Sequence, residues 1–162
     1  LVVGVFKLLF VVIGQYNLER YGRRPMLLTS IVGVTAGLML LAMNFTIMSP
    51  PHWLAMVSLC VFMSAFSLGE GPVTWVLISE VFPLSVRSKG MSVAVALNRM
   101  TSGTIAFSFL SLSQVLSTGG TFWLFAAISG LHFIFTLFCI PETKGKSLEE
   151  IEEFLATNQA VF

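Results

Sequence analysis

Residues 26–46 read MLLTSIVGVTAGLMLLAMNFT, an apolar stretch without a single charged side chain. A helix needs about 20 mostly apolar residues to cross the hydrocarbon core of a bilayer, so this stretch is long enough to cross. Thr29, Gly33 and Gly37 recur along it at four-residue spacing. Small residues in such a stripe let membrane helices approach closely, and we interpret the stripe as a packing surface.

The whole sequence shares this apolar character. Of its 162 residues, 56% are hydrophobic and 10% are charged, and the mean hydropathy is +0.89. Soluble domains carry about 25% charged residues, so the composition excludes an ordinary soluble protein. The net charge of +1 gives no reason to expect a nucleic-acid partner.

Apolar segments recur along the chain, and the sequence predicts an all-α membrane protein with five transmembrane helices. The third segment contains two glycines and a proline, so we expect its helix to break near residues 69–72. STGG at residues 117–120 predicts a tight turn between the last two segments. The first segment has no charged region or cleavage site ahead of it, and we interpret it as a truncated span and not a signal peptide. The segments are 1–18, 26–46, 53–82, 91–113 and 121–140.

Basic residues occur in three clusters, and two predicted spans separate each cluster from the next. All three clusters therefore lie on one side of the membrane, and the positive-inside rule makes that side cytoplasmic. The C-terminus is then cytoplasmic as well. The clusters are Arg20 with Arg23 and Arg24, Arg87 with Lys89, and Lys144 with Lys146.

The tail at residues 142–162 has a different character. Ser147 and Glu150 have the spacing of a capping box, which predicts the start of a helix. Leu148, Ile151 and Leu155 fall on one face of that helix. We expect a short amphipathic helix that docks on the membrane domain.

Connections on the basic side mix carboxylates with basic residues. They read ERYGRR at residues 19–24, EVFPLSVR at 80–87 and PETKG at 141–145. A planar guanidinium can hold a carboxylate through two hydrogen bonds, which suits helix ends at the membrane edge. The positive-inside rule explains the basic residues but not the carboxylates interleaved with them.

Together with GPVTW at residues 71–75, these motifs resemble those of the sugar porters of the major facilitator superfamily. The matching patterns are E-R-x-G-R-R, G-P-x-x-W, E-x-F-P-x-x-x-R and P-E-T-K-G-x-x-L-E-E-I, in the family's order. The details are most similar to the polyol and monosaccharide transporters of plants. The resemblance implies a partial major facilitator fold that comprises spans eight to twelve and lacks the N-terminal half and span seven.

The resemblance implies a transmembrane carrier for monosaccharides or polyols that works by alternating access, with proton-coupled symport at the plasma membrane. Its partners would be the sugar or polyol, protons, the lipid bilayer and the missing N-terminal half. Two alternatives stay open: a transporter-like sugar sensor and a facilitative, uncoupled uniporter. The short tail after Pro141 favours a carrier over a sensor.

The same resemblance implies a network of charged residues that holds the cytoplasmic helix ends together when the transporter faces outward. Several modest ion pairs can combine into a contact with two stable states. The residues assigned to this gating network are Glu19, Arg20, Arg23, Arg24, Glu80, Arg87 and Glu142.

The break in the third segment marks the expected substrate site, because transporter sites lie where membrane helices are interrupted. Trp75 follows the break by one helical turn, and an indole ring can stack on a sugar while its N–H donates to a hydroxyl. The resemblance places Trp75 at the inner side of the site, within the same motif as Gly71. It also matches Asn98 to a sugar-contacting position, and Thr101 and Ser102 add hydroxyl groups nearby.

Glu70 and Arg99 lie at comparable depth inside two apolar segments. Charges in the membrane interior usually pair, so the sequence predicts a Glu70–Arg99 ion pair. A competing hypothesis makes Glu70 the proton-coupling carboxylate, but an arginine partner would keep it ionised. His132, in the fifth segment, is expected to hydrogen bond inside the bundle.

Patterns typical of enzymes are absent from the sequence. No His, Cys or carboxylate cluster has metal-ligand spacing, and no nucleophile–base arrangement or phosphate-binding glycine loop is present. Cys60 and Cys139 lie in different apolar segments and are interpreted as small packing residues. We therefore expect a protein that is not an enzyme and that uses no cofactor and no metal.

Overall fold

The computed structural model describes residues 2–47, 52–140 and 142–145 of the chain. All the regular elements in these ranges are helices, and the short helix expected at Ser147 lies outside them. The elements are α1 (Val2–Tyr21), α2 (Arg23–Thr46), α3 (His52–Leu68), α4 (Glu70–Val81) and α5 (Arg87–Cys139).

The longest helix, α5, is interrupted at Ser117, where φ is 66° and ψ is 162°. We call residues 87–116 its first arm and residues 118–139 its second arm. The Ser117 hydroxyl accepts a hydrogen bond from the Gly120 N–H at 3.2 Å, as an N-cap residue does. The turn predicted over residues 117–120 is therefore made by Ser117 alone, and the two glycines already belong to the second arm.

Three stretches of the described residues are long and apolar enough to cross a membrane: Arg23–Thr46, Trp53–Val81 and Arg87–Cys139. The apolar helix Val3–Leu18 is shorter. A membrane crossing requires about 20 residues, and each arm of α5 is longer than that. The two arms correspond to the predicted segments 91–113 and 121–140. Large apolar side chains cover the surface, with Phe107 89% and Phe138 80% exposed. Such a surface suits lipid and not water.

The small-residue stripe of α2 forms a close contact with the neighbouring helix α3. A Cβ atom built at Gly33 would lie 2.6 Å from the Cβ of Ala65, and one built at Gly37 would lie 2.8 Å from the Cα of Phe62. Both neighbours belong to α3, so any larger residue in the stripe would push α3 away. The predicted packing role of Gly33 and Gly37 agrees with this geometry.

The two arms of α5 differ in how they pack. The second arm lies against α2, where Ala126 is buried with Val34 and Leu38, and the hydroxyls of Thr35 and Ser129 lie 2.8 Å apart. The first arm is exposed over most of its length. Near its start, Gly90 lies against the Phe82 ring, and nearer its end Phe109 packs against Phe122 of the second arm. Most side chains of the first arm are thus left uncovered by the described residues.

Candidate functional site

The bundle has a charged end, which we define as the end where Arg23, Glu80 and Glu142 meet. Arg23, in the first turn of α2, donates to Glu80 Oε1 from Nε at 3.1 Å and from Nη2 at 2.7 Å. The other carboxylate oxygen of Glu80 accepts a hydrogen bond from the Thr143 hydroxyl at 2.7 Å. The Arg23 and Glu80 side chains are 22% and 20% exposed. One carboxylate at the end of α4 therefore joins α2 to the segment at 142–145.

Glu142 acts as the N-terminal cap of α2. Its carboxylate accepts the backbone N–H groups of Arg23 at 3.0 Å and Arg24 at 3.1 Å. The helix has no side-chain cap of its own, because Gly22 occupies the N-cap position. The first N–H groups of a helix have no partners within it and attract a negative charge, so the carboxylate satisfies both needs.

Gly22 makes this cap possible in two ways. Its φ of 97° lies in the region that other residues rarely adopt. A Cβ atom built there would also lie 2.8 Å from the Glu142 carboxylate oxygen. Gly22 is therefore required for two reasons: the backbone has a positive φ at this position, and the Glu142 carboxylate occupies the space that a side chain would need.

Two other guanidinium groups of the predicted gating network, those of Arg24 and Arg87, donate to backbone carbonyls and not to carboxylates. Arg24 donates through Nη2 to the Leu137 carbonyl. Arg87 donates through Nε to the Phe82 carbonyl at 3.2 Å, and it forms no ion pair with any described carboxylate. The backbone carbonyl of Arg20 accepts a hydrogen bond from the ammonium group of Lys144 at 2.6 Å. The side chain of Glu19 is not described.

The helix break lies at Gly69, between α3 and α4, and it is held tightly by α1 and α2. A Cβ atom built at Gly69 would lie 2.5 Å from the Met26 carbonyl oxygen of α2. Pro72 has no N–H group to donate to the Leu68 carbonyl. That carbonyl instead faces α1, where a Cβ atom built at Gly14 would lie 2.5 Å from its oxygen.

Ser30 of α2 bridges the break through its hydroxyl group. It donates to the Ala65 carbonyl at 2.7 Å and accepts the Glu70 N–H at 2.8 Å. The side chain is buried, and both backbone groups would otherwise lack a partner at the interruption. Ser30 therefore replaces hydrogen bonds that a continuous helix would have made.

Glu70 pairs with His132 and not with Arg99. His132 Nδ1, on the second arm, lies 3.2 Å from Glu70 Oε1. Arg99 is exposed on the first arm and forms no ion pair with Glu70. The predicted Glu70–Arg99 pair is not formed among the described residues, because the first arm follows α4 in sequence without packing along it. The expectation that His132 finds a polar partner inside the bundle agrees with the observed contact.

The residues predicted to bind substrate fall on two elements. Trp75 is partly buried on α4, one turn beyond the break, and Gly71 lies against the Phe66 ring. Asn98, Thr101 and Ser102 are exposed on the first arm of α5. Within the described residues, no hydrogen bond connects the α4 residues to those of the first arm. The polar side chains of the two sets are therefore not paired with each other.

Sequence patterns missed three residues that shape this region: Ser30, Thr143 and His132 as the partner of Glu70. Ser30 belongs to the apolar stretch 26–46 and has the appearance of one more small packing residue. Thr143 lies inside the PETKG motif between two charged residues, and the sequence pattern provided a reason to assign a role only to charged residues there. Their roles depend on tertiary neighbours that lie far away in sequence.

Comparison with known proteins supplies the family. The family profile described as "Sugar (and other) transporter" matches residues 1–155. "Polyol transporter 5" from Arabidopsis thaliana is 41% identical over 161 residues, which cover 95% of this chain and 30% of that protein. "D-xylose-proton symporter-like 2" from the same organism is 36% identical and is covered to 30%. The chain thus spans about a third of the length of these relatives.

Solved structures agree with the sequence relatives. The inward-open xylose transporter XylE from E. coli superposes with a TM-score of 0.87 at 31% identity, over 94% of this chain and 34% of that one. The XylE proton:xylose symporter bound to 6-bromo-6-deoxy-D-glucose gives a TM-score of 0.86. These matches confirm the predicted all-α membrane fold and the predicted resemblance. The chain therefore belongs to the sugar transporter family of the major facilitator superfamily, as part of a multi-pass integral membrane protein.

Proposed function

We propose that the chain is part of a carrier that moves a polyol or monosaccharide across the membrane by alternating access. The observation that carries the proposal is the construction of α4. One end of this helix begins at a break, and its other end is held by the Arg23–Glu80 ion pair. A helix with one fixed end and one separable end suits a gate beside a membrane cavity.

The substrate would lie between the break and the polar face of the first arm. Trp75 offers an aromatic face for the apolar side of a sugar or polyol, and the backbone at Gly71 permits close approach. Asn98, Thr101 and Ser102 offer donors and acceptors for hydroxyl groups. Their exposure in this chain leaves them free to line a cavity that the rest of the transporter closes.

The charged end would be the cytoplasmic gate, in line with the basic clusters of the sequence. When the carrier faces outward, Arg23, Glu80 and Glu142 hold α2, α4 and the following segment together. Opening toward the cytoplasm separates these groups and lets water replace their contacts. The C-terminus would then be cytoplasmic. The N-terminal half of the same protein would supply the other side of the substrate site. We place the carrier in the plasma membrane.

Proton-coupled symport is the coupling mode we propose, supported by the names of the relatives. One of them is "D-xylose-proton symporter-like 2", and the matching XylE structure is titled a proton:xylose symporter. A polyol or a pentose is the proposed substrate class, since six matching relatives carry the name polyol transporter.

Uptake by the full-length protein in proteoliposomes tests the proposal. Radiolabelled xylitol, sorbitol, inositol, xylose and glucose are compared with and without an inward proton gradient. We expect saturable uptake of at least one of them that the gradient increases and an uncoupler abolishes. Binding without uptake would indicate a sensor, and uptake that ignores the gradient would indicate a uniporter.

A pair of tryptophan variants tests the site itself. We expect Trp75→Ala to raise the substrate concentration for half-maximal uptake at least tenfold, while Trp75→Phe keeps most of the affinity. Trp123→Phe is the matched control, because Trp123 is exposed on the second arm. Equal effects of Trp75→Ala and Trp123→Phe would remove Trp75 from the proposed site.

A further inference from the structure

The contact between Glu70 and His132 is unusual because both ionisable groups lie inside apolar helices. Glu70 Oε1 lies 3.2 Å from His132 Nδ1, and the Glu70 side chain is 16% exposed. The second oxygen, Oε2, is buried and has no hydrogen-bond donor among the described residues. A buried carboxylate oxygen without a donor is costly when the group is ionised, and a bound proton lowers that cost because an unpaired neutral group is cheaper to bury than a charge.

Among the described side chains, the neighbouring helices bring no other ionisable group to this carboxylate. Ser30 of α2 contacts the backbone N–H of Glu70, and its hydroxyl does not reach the carboxylate. None of the other described ionisable side chains on the helices around α4 forms a hydrogen bond or ion pair with Glu70. These are Lys7, Tyr16, Arg20 and Tyr21 on α1, Arg23 and Arg24 on α2, Cys60 on α3, Glu80 on α4 itself, and Arg87, Lys89, Arg99 and Cys139 on α5.

The charge of the pair depends on its proton content. With one proton the pair is neutral overall, and it exchanges between carboxylate with imidazolium and carboxylic acid with imidazole. Without that proton it leaves a net negative charge among apolar helices, which is unfavourable in a membrane interior. We propose that Glu70 and His132 together form a binding site for one exchangeable proton, shared between α4 and the second arm of α5.

The two members differ in how far they are exposed at the surface of this chain. The His132 side chain is 38% exposed on the surface of this chain, more than twice the exposure of Glu70. His132 is therefore the outer member of the pair, and Glu70 is the inner member. Thr136 lies one turn along on the same helix face, and its buried hydroxyl also lacks a partner among the described residues.

Proton binding needs no further reactant. The proton comes from water, adds to a lone pair of Glu70 or His132, and leaves by the reverse step. Because Ser30 holds the backbone of Glu70, loss or gain of the proton changes the side-chain contact with His132 and leaves the helix break in place. The site goes beyond the proposed transport activity and does not depend on it, so the two can be tested separately.

Infrared difference titration of the full-length protein in lipid nanodiscs tests this site. In the unsubstituted protein we expect a carboxylic-acid C=O band and an imidazole ring band to change together in a single step. Glu70→Gln should abolish the carboxylic-acid band, and His132→Gln should move its midpoint. Bands that titrate independently, or a carboxylic-acid band that persists in Glu70→Gln, would overturn the proposal.

Counting protons gives a second readout that needs no spectral assignment. Acid–base titration over the pH range of the infrared step should release one proton fewer per chain from the Glu70→Gln/His132→Gln double variant than from the unsubstituted protein. His52→Gln is the matched control, because His52 is the only other histidine of the sequence, and it should leave the infrared step unchanged. An equal proton count in the double variant and the unsubstituted protein would contradict a shared proton.

Discussion

Both ends of α4 are attached to α2, but by different chemistry. At its N-terminal end, Gly69 touches the Met26 backbone and Ser30 bonds the Glu70 N–H. At its C-terminal end, Glu80 binds the Arg23 guanidinium. The first attachment leaves no space between two backbones, whereas the second consists of side chains that water can replace. We therefore expect α4 to turn about its N-terminal end when the charged end opens.

Gly69→Ala tests the N-terminal attachment and should have the largest effect. Its Cβ would lie 2.5 Å from a backbone oxygen of α2, so the two helices must separate. We expect a loss of about 3 kcal/mol in the free energy of unfolding, at the upper end of overpacking costs. Unfolding of the full-length protein in detergent measures it.

The control for this variant is Gly103→Ala, where a Cβ would meet no atom within 4 Å. This substitution should leave stability unchanged or raise it slightly, because alanine favours a helix. If Gly69→Ala proves as stable as Gly103→Ala, the N-terminal end of α4 is not the fixed end.

Gly22→Ala tests the capped start of α2 and should have the next largest effect. The alanine would have to adopt a φ near 97° and would collide with Glu142. We expect a loss of about 2 kcal/mol, from backbone strain and a displaced cap. A double-mutant cycle with Glu142→Ala measures the two parts, and strict additivity would show that the cap and the glycine act independently.

Glu80→Gln tests the separable attachment and should cost less, about 1 kcal/mol. With its oxygen toward Arg23 the amide still accepts those hydrogen bonds, and its NH2 group must donate to the Thr143 hydroxyl instead of accepting from it. The variant therefore removes the charge and reverses one hydrogen bond. A cycle with Arg23→Gln gives the coupling energy between the two side chains. A coupling of zero would mean that Thr143 and Glu142 hold the charged end without this ion pair.

The salt dependence of these stability changes should be the smallest effect, and it distinguishes the two ends of α4 most directly. At about 1 M salt the screening length falls to about 3 Å, which weakens partly exposed ion pairs. The destabilisation caused by Glu80→Gln should shrink by a few tenths of a kcal/mol between low and high salt. The effect of Gly69→Ala should stay constant, and a salt dependence there would contradict a purely steric attachment.

Local sequence signals predicted the interruptions well because their causes are local. Pro72 removes a helical donor, so the break at Gly69 follows from residues 69–72 themselves. Ser117 has the chemistry of an N-cap, yet the glycines after it made the predicted turn longer than the observed one. The all-α membrane fold followed from apolar segment length in the same way.

Partners across the bundle could not be predicted from local signals. Glu70 and Arg99 have similar depth along their helices, but depth does not say which helices pack together. The actual partner, His132, belongs to the second arm, which packs on α2. The family resemblance implied a network that includes Arg23, Glu80 and Glu142, but not that Glu142 would bind backbone N–H groups.

The cap on α2 has a consequence for how the protein is made. The carboxylate that satisfies the first N–H groups of α2 lies 119 residues after Arg23 and 118 after Arg24. A ribosome must therefore synthesise every later helix of the bundle before this helix receives its cap. Until then the start of α2 depends on water or on lipid headgroups, and a nascent chain stopped before Glu142 would keep that helix end open to quality-control machinery.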